Sequence, residues 1–153
     1  MIRTVLIAWV ATVGFAIVFN IPRKDLFFAG LCGAAGWAVY FSVNKSFESP
    51  YLAAFSGALV VGILGEILAR WLRKPVTVYV IPGILPLVPG YGLYRAMERI
   101  ILREYSNAAD IGFQTMLIAL AISSGIIIAS SVGKFINERN SRKAGKKPVV
   151  KNG

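Results

Sequence analysis

The chain has 153 residues, of which 56% are hydrophobic and 16% charged, and its mean hydropathy is +0.65. That is too apolar for an ordinary soluble domain, and the apolar residues fall in long runs, so an integral membrane protein without room for a separate soluble domain is expected. The net charge of +10 gathers at the ends of these runs and in the C-terminal tail, which suits the flanks of membrane helices and gives no folded basic face for nucleic acid.

The first apolar run, Thr4 to Phe19, ends at Asn20-Ile21-Pro22-Arg23-Lys24-Asp25. It is short for a hydrocarbon core of ~30 Å, which takes about 20 helical residues. No small-residue cleavage site follows it, so a retained helix is expected and not a signal peptide. The second run, Leu26 to Val43, holds the single cysteine, Cys32, among Gly30, Gly33 and Gly36, where it reads as a buried small residue. The third, Tyr51 to Leu72, carries Ala54, Ala58, Gly62, Glu66 and Arg70 at four-residue spacing. Small residues on one stripe let a neighbouring helix approach closely.

The fourth run, Val76 to Met97, contains Pro82-Gly83-Ile84-Leu85-Pro86-Leu87-Val88-Pro89-Gly90. Lipid cannot satisfy the backbone groups such a break releases, so it belongs where protein or a wet cavity covers it. Beyond it, Arg95, Arg99 and Arg103 recur at helical spacing and predict an amphipathic continuation of the fourth helix along the interface. The fifth run, Asn107 to Ile136, places Ser123 and Ser130 among Gly112, Ala119 and Gly133. This pattern fits tight bundle packing, or else a hydroxyl-lined path through Ser123 and Ser130. The predicted fold is therefore an all-α integral membrane protein of about five transmembrane helices over residues 1–136, the fourth broken by Pro/Gly. Residues 137–153 form a basic tail, expected to be disordered and to touch anionic lipid.

With five spans, one side holds Arg23, Lys24, Arg70, Arg73, Lys74, Lys134 and the six basic tail residues, and the other holds Arg3, Lys45, Arg95, Arg99 and Arg103, a division of 12 against 5. The positive-inside rule then puts the N-terminus outside and the C-terminus in the cytoplasm of a cell-membrane protein.

Candidate chemistry is sparse. Histidine is absent and cysteine is single, which removes histidine relays, disulfides and thiolate clusters, so no metal and no cofactor is expected. No nucleophile–base pair or paired acids occur within a span, so an enzyme is not expected. Glu66 is the one acidic residue well inside an apolar run. Membrane carboxylates are costly and mark functional sites, which makes Glu66 the proton-coupling candidate. A headgroup-level ion pair with Arg70, four residues on, is the simpler structural explanation. At the break, Pro82-Gly83 is expected to end one half-helix and Pro89-Gly90 to open the next. The freed N–H groups of Gly90, Tyr91 and Gly92 would then face a carboxylate. Carbonyls before Pro82 and Pro86 would receive an ammonium group, so a zwitterionic amino acid or small carboxylate fits.

Gly14-Phe15-Ala16-Ile17-Val18-Phe19-Asn20-Ile21-Pro22, Ile84-Leu85-Pro86-Leu87-Val88-Pro89-Gly90 and Tyr94-Arg95-Ala96-Met97 together resemble the threonine/serine exporter (ThrE) family. The likeness is to its small subunit, the counterpart of the C-terminal half of fused exporters, and it runs through nearly the whole chain before the tail. It implies proton-motive-force-dependent export of threonine and serine beside a larger subunit. Some split members of the family are associated with dicarboxylates such as succinate. The matching positions are Asn20, Pro22, Pro86, Pro89, Gly90 and Tyr94; with Tyr91, Ser123 and Ser130 added and Pro22 left aside they form the expected substrate-binding set. A subunit that serves only packing and assembly is the competing reading.

Overall fold

The computed structural model describes residues 2–144, with side chains described over residues 2–133. The described residues form α1 (Ile2–Val18), α2 (Arg23–Phe47), α3 (Pro50–Leu72), α4 (Thr77–Ile84), a 3₁₀ turn (Leu85–Leu87), α5 (Gly90–Ile101) and α6 (Tyr105–Ala144). The all-α expectation holds. Three helices, α2, α3 and residues 105–133 of α6, are long and apolar enough to cross a membrane, and a fourth span results if the bent pair on either side of Pro89 counts as one. α1, with 17 residues, lies at the lower limit for a span. α6 runs helically to Ala144, past the expected boundary at Ile136. The rest of the expected tail, with its lipid contact, lies outside the described residues.

Helix ends follow local chemistry. α1 closes with the Ile21 N–H on the Ala16 carbonyl and the Asn20 N–H on the Ile17 carbonyl, both at 3.0 Å. That is the Schellman pattern, with Asn20 left-handed at φ 55°. Asparagine tolerates this conformation better than most residues. α3 starts with Ser49, whose side chain accepts the Leu52 N–H, and with Pro50 in the first turn. It ends on Arg73, left-handed at φ 52°.

α3 packs against α2, α4 and α6; α2 also packs against α1 and α4, whereas α5 packs on α6. Ala16, Ala29, Ala53, Ala54, Ala58 and Cys32 are buried along these contacts. Lipid supplies no hydrophobic drive between helices, so dispersion at close approach must hold them. Two crossings bring backbones together: a Cβ on Gly125 of α6 would stand 2.7 Å from the Phe55 carbonyl oxygen of α3, and one on Gly57 of α3 would stand 2.9 Å from the Gly36 carbonyl oxygen of α2.

The contacts also sort the ends of the bundle. Lys74 meets Asp25, and Arg70 bonds the Gly133 carbonyl. The α1–α2 turn, the α3–α4 connection and residue 133 of α6 therefore share one end. The α5–α6 turn belongs to the other.

Candidate functional site

The break lies later than the sequence suggests. α4 passes through Pro82 and Gly83 without stopping and runs on through the 3₁₀ turn to Leu87. Both residues are buried, and Gly83 has a packing reason. A Cβ there would lie 3.1 Å from Val61 Cγ1, 3.4 Å from Cys32 Sγ and 3.5 Å from the Gly33 nitrogen. Pro82-Gly83 thus seats α4 between α2 and α3 instead of ending a half-helix.

The chain turns at Pro89. Its φ of −79° and ψ of 56°, with the Gly90 N–H on the Val88 carbonyl at 2.8 Å, make an inverse γ-turn. α5 leaves at 48° to the preceding segment, so both halves keep the same general direction. At 1.5 Å per residue they add to roughly 34 Å, enough for one broken span.

Two of the expected free backbone groups are engaged. The Gly90 N–H is held by Val88, and the carbonyl before Pro86, that of Leu85, accepts the Val88 N–H at 3.2 Å. α5 has no side-chain N-cap. The Tyr91 and Gly92 N–H groups, in its first turn, have no intrahelical acceptor. No heavy atom comes within 4 Å of a Cβ built on Gly90, and its φ is not positive. The fold does not need a glycine there; the residue leaves the helix start open to approach.

The expected substrate residues do not meet in one place. Pro86 lines an apolar hollow of about 240 Å³ with Thr4, Ile7, Ala8, Ala11 and Trp37. Asn20 lines another, of about 550 Å³, with Ile17, Ile21, Pro22, Arg23 and Leu26. Sixteen residues of α1 separate Asn20 from Thr4, roughly 24 Å along a helix. Tyr91 and Tyr94 are exposed on α5, which has no buried residue, and Arg95 lies 5.9 Å over the Tyr91 ring. Ser123 is exposed and donates to the Ala119 carbonyl of its own helix at 2.9 Å; Ser130 is half-buried farther along α6. Arg103 does not share a face with Arg95 and Arg99, because it sits in the turn after α5, left-handed at φ 62°.

Glu66 has the ion-pair geometry. Arg70 lies 3.3 Å from Glu66 Oε2 and also donates to the Gly133 carbonyl. One guanidinium thus joins α3 to α6. In the turn after α5, Glu104 accepts from Asn107 at 3.0 Å and from Arg99 at 2.7 Å. These bonds hold its carboxyl below the usual range.

Asp25 is the residue that sequence reasoning missed. It reads as part of a loop, yet it lies in the first turn of α2 and is 3% exposed. Tyr79 of α4, itself fully buried, donates its hydroxyl to Asp25 Oδ1 at 3.0 Å. Lys74 Nζ stands 3.9 Å from Oδ2.

A family model described as "Threonine/Serine exporter, ThrE" matches residues 4–132. The chain belongs to the threonine/serine exporter family. The match runs from within α1 through almost all of the α6 span and includes the break, Glu66 and Asp25. It makes the chain an exporter-type membrane transporter, of a family that transports and does not catalyse. No solved structure matches this exporter chain. A signal for Asp25 was present in the sequence: it stands with Ala29, Cys32 and Gly36 on one helical stripe, and those three are buried.

Proposed function

We propose that this chain is the small subunit of a proton-motive-force-dependent exporter of threonine and serine in the cell membrane. It works beside a larger subunit, with its N-terminus outside and its C-terminus in the cytoplasm. The observation that carries the reading is the start of α5. Behind the Pro89 turn, an uncapped helix N-terminus with open space at Gly90 lies at the middle of a broken span. Such a half-helix end attracts a carboxylate.

Two features support a second chain. The expected substrate residues lie apart, so this chain alone gathers no closed site. α5 covers itself only with α6 and leaves Tyr91, Tyr94 and Met97 exposed. The end that gathers Arg23, Lys24, Arg70, Arg73 and Lys74 supports the cytoplasmic assignment. The same dispersal of site residues favours a second reading, an assembly subunit whose partner holds the transport chemistry. A backbone site reads a carboxylate and not the side chain beyond it, so succinate stays an alternative cargo.

The deciding experiment reconstitutes the chain with its larger subunit in vesicles and follows labelled threonine, serine and succinate with and without a proton gradient. Gradient-driven threonine or serine flux supports the reading. Absence of flux for all three from an assembled complex defeats it, and flux unaffected by Gly90→Leu with assembly intact favours the assembly subunit.

A further inference from the structure

Asp25 has a second carboxylate oxygen without a hydrogen bond; Glu98 Oε2 shares that condition among the described acids, but the Glu98 side chain is 37% exposed and that of Asp25 only 5%. Oδ1 accepts from Tyr79. Oδ2 is sealed from solvent and has no hydrogen-bond partner. Its nearest cation, Lys74, stands at 3.9 Å, outside hydrogen-bond reach. A buried acceptor left empty beside a negative charge is costly. A proton on Oδ2 would remove that charge without needing a new neighbour.

The groups facing Asp25 are few. α4 presents Tyr79, and the α3–α4 connection presents Lys74, with its neighbour Arg73, the cap of α3, exposed. α1 carries one titratable residue among its described positions, Arg3, at its far end. On α3, Glu66 and Arg70 are paired with each other. The 3₁₀ turn, Leu85-Pro86-Leu87, has no titratable group. Arg23 and Lys24, beside Asp25 on α2, are exposed. Lys74 is therefore the one cation poised to answer a change of charge on Asp25, and its half-exposed side chain can turn to water.

We propose that Asp25 carries the proton of the transport cycle. This deepens the proton-driven exporter reading and rests on it. Oδ2 binds a proton taken up from one side, becoming a neutral carboxyl and loosening Lys74, and later returns that proton to the other side as the carboxylate and the Lys74 contact re-form. The Tyr79 hydroxyl stays on Oδ1. Tyr79 belongs to the inner half of the broken span, so the charge on Asp25 sets how firmly the start of α4 is held to α2. Two hollows that share Ile21 lie beside the pair at this end of the bundle, one lined by Pro22, Arg23 and Leu26, the chain neighbours of Asp25, and the other by Thr77 and Val78, the neighbours of Tyr79.

The test compares the reconstituted wild-type complex with Asp25→Asn and Asp25→Glu. In Asp25→Asn a pH gradient is expected to stop accelerating threonine flux, while threonine-for-threonine exchange continues. Asp25→Glu is expected to keep the drive with a displaced pH midpoint. A gradient response in Asp25→Asn equal to wild type overturns the proposal. If that variant fails to assemble, Asp25→Glu decides, and an unchanged pH profile overturns it. An infrared pH titration of the purified chain in lipid supplies a readout independent of flux. A protonated-carboxyl band present in wild type and missing in Asp25→Asn supports the assignment, and identical bands in both refute it. Absence of flux from the wild-type complex counts against the exporter reading alone, since the infrared result stands by itself.

Discussion

Gly133 on α6 lies against the carboxylate of Glu66 on α3: a Cβ added to Gly133 would stand 2.6 Å from Oε2 and 2.8 Å from Oε1. Arg70 holds both partners, the carboxylate by its charge and the glycine by its carbonyl. Gly133→Ala is expected to push the carboxylate off Arg70 and lower stability by about 1–3 kcal/mol, as overpacking does. Thermal unfolding of the purified chain in detergent measures it, and a shift within error would mean that Glu66 moves aside freely.

Glu66→Gln separates the two roles available to that residue. The pair is partly exposed, with Arg70 at 38%, and such pairs contribute no more than about 1 kcal/mol. A small loss of stability with proton-driven flux retained is expected. Flux that loses its dependence on the proton gradient would return Glu66 to the proton pathway.

Gly57→Ala is expected to open the α2–α3 crossing. The new Cβ would meet Leu87 Cδ2 at 2.6 Å and the Gly36 carbonyl at 2.9 Å. A leucine end can rotate, but a backbone carbonyl moves only with its helix. A cost of about 1–3 kcal/mol is expected to show as reduced yield and a lower unfolding temperature.

Gly90→Ala provides the opposite case. Nothing crowds the position, and alanine is preferred to glycine in a helix by about 1 kcal/mol. The expectation is unchanged or raised stability with weakened substrate transport, measured as KM for threonine in vesicles. Unaltered transport would remove the α5 start from the substrate path.

The α5–α6 turn should respond to acid. Hydrogen bonds from Asn107 and Arg99 lower the Glu104 pKa in the fold, so the unfolded turn binds the proton more readily. The stabilisation is full above the ordinary carboxylate value, near 4.3, and is lost as pH falls through the lowered folded value. Hydrogen exchange at residues 102–108 should therefore quicken only in that acid range, and Glu104→Gln should make it fast and flat at neutral pH.

The helices were legible because apolar runs and Pro/Asn/Ser punctuation report local physics. Ser49-Pro50 starts α3 and Asn20-Ile21-Pro22 closes α1 for reasons visible in single residues. The break was legible in kind and misplaced in position. Two Pro-Gly pairs look alike in sequence, but Pro82-Gly83 is covered by Cys32 and Val61 from other helices, whereas nothing crowds Gly90 beside Pro89. Asn20, expected in the substrate-binding set, also has a structural role as the left-handed cap of α1. The stripe of Asp25 with Ala29, Cys32 and Gly36 points to its burial, but its partner Tyr79 lies 54 residues away, a relation no local pattern contains.

The first half of the broken span also bears on how the chain is made. Thr77–Leu87 is too short to hold a place in lipid alone, and its buried face of Tyr79, Pro82, Gly83 and Leu87 rests on helices already synthesised before it. α1, α2 and α3 must be packed in the bilayer before α4 has a seat, and α6, which follows α5 in the chain, is its one extensive neighbour among the described residues. The seat for α4 is therefore complete from chain that precedes it, whereas α5 has to wait for chain that follows it.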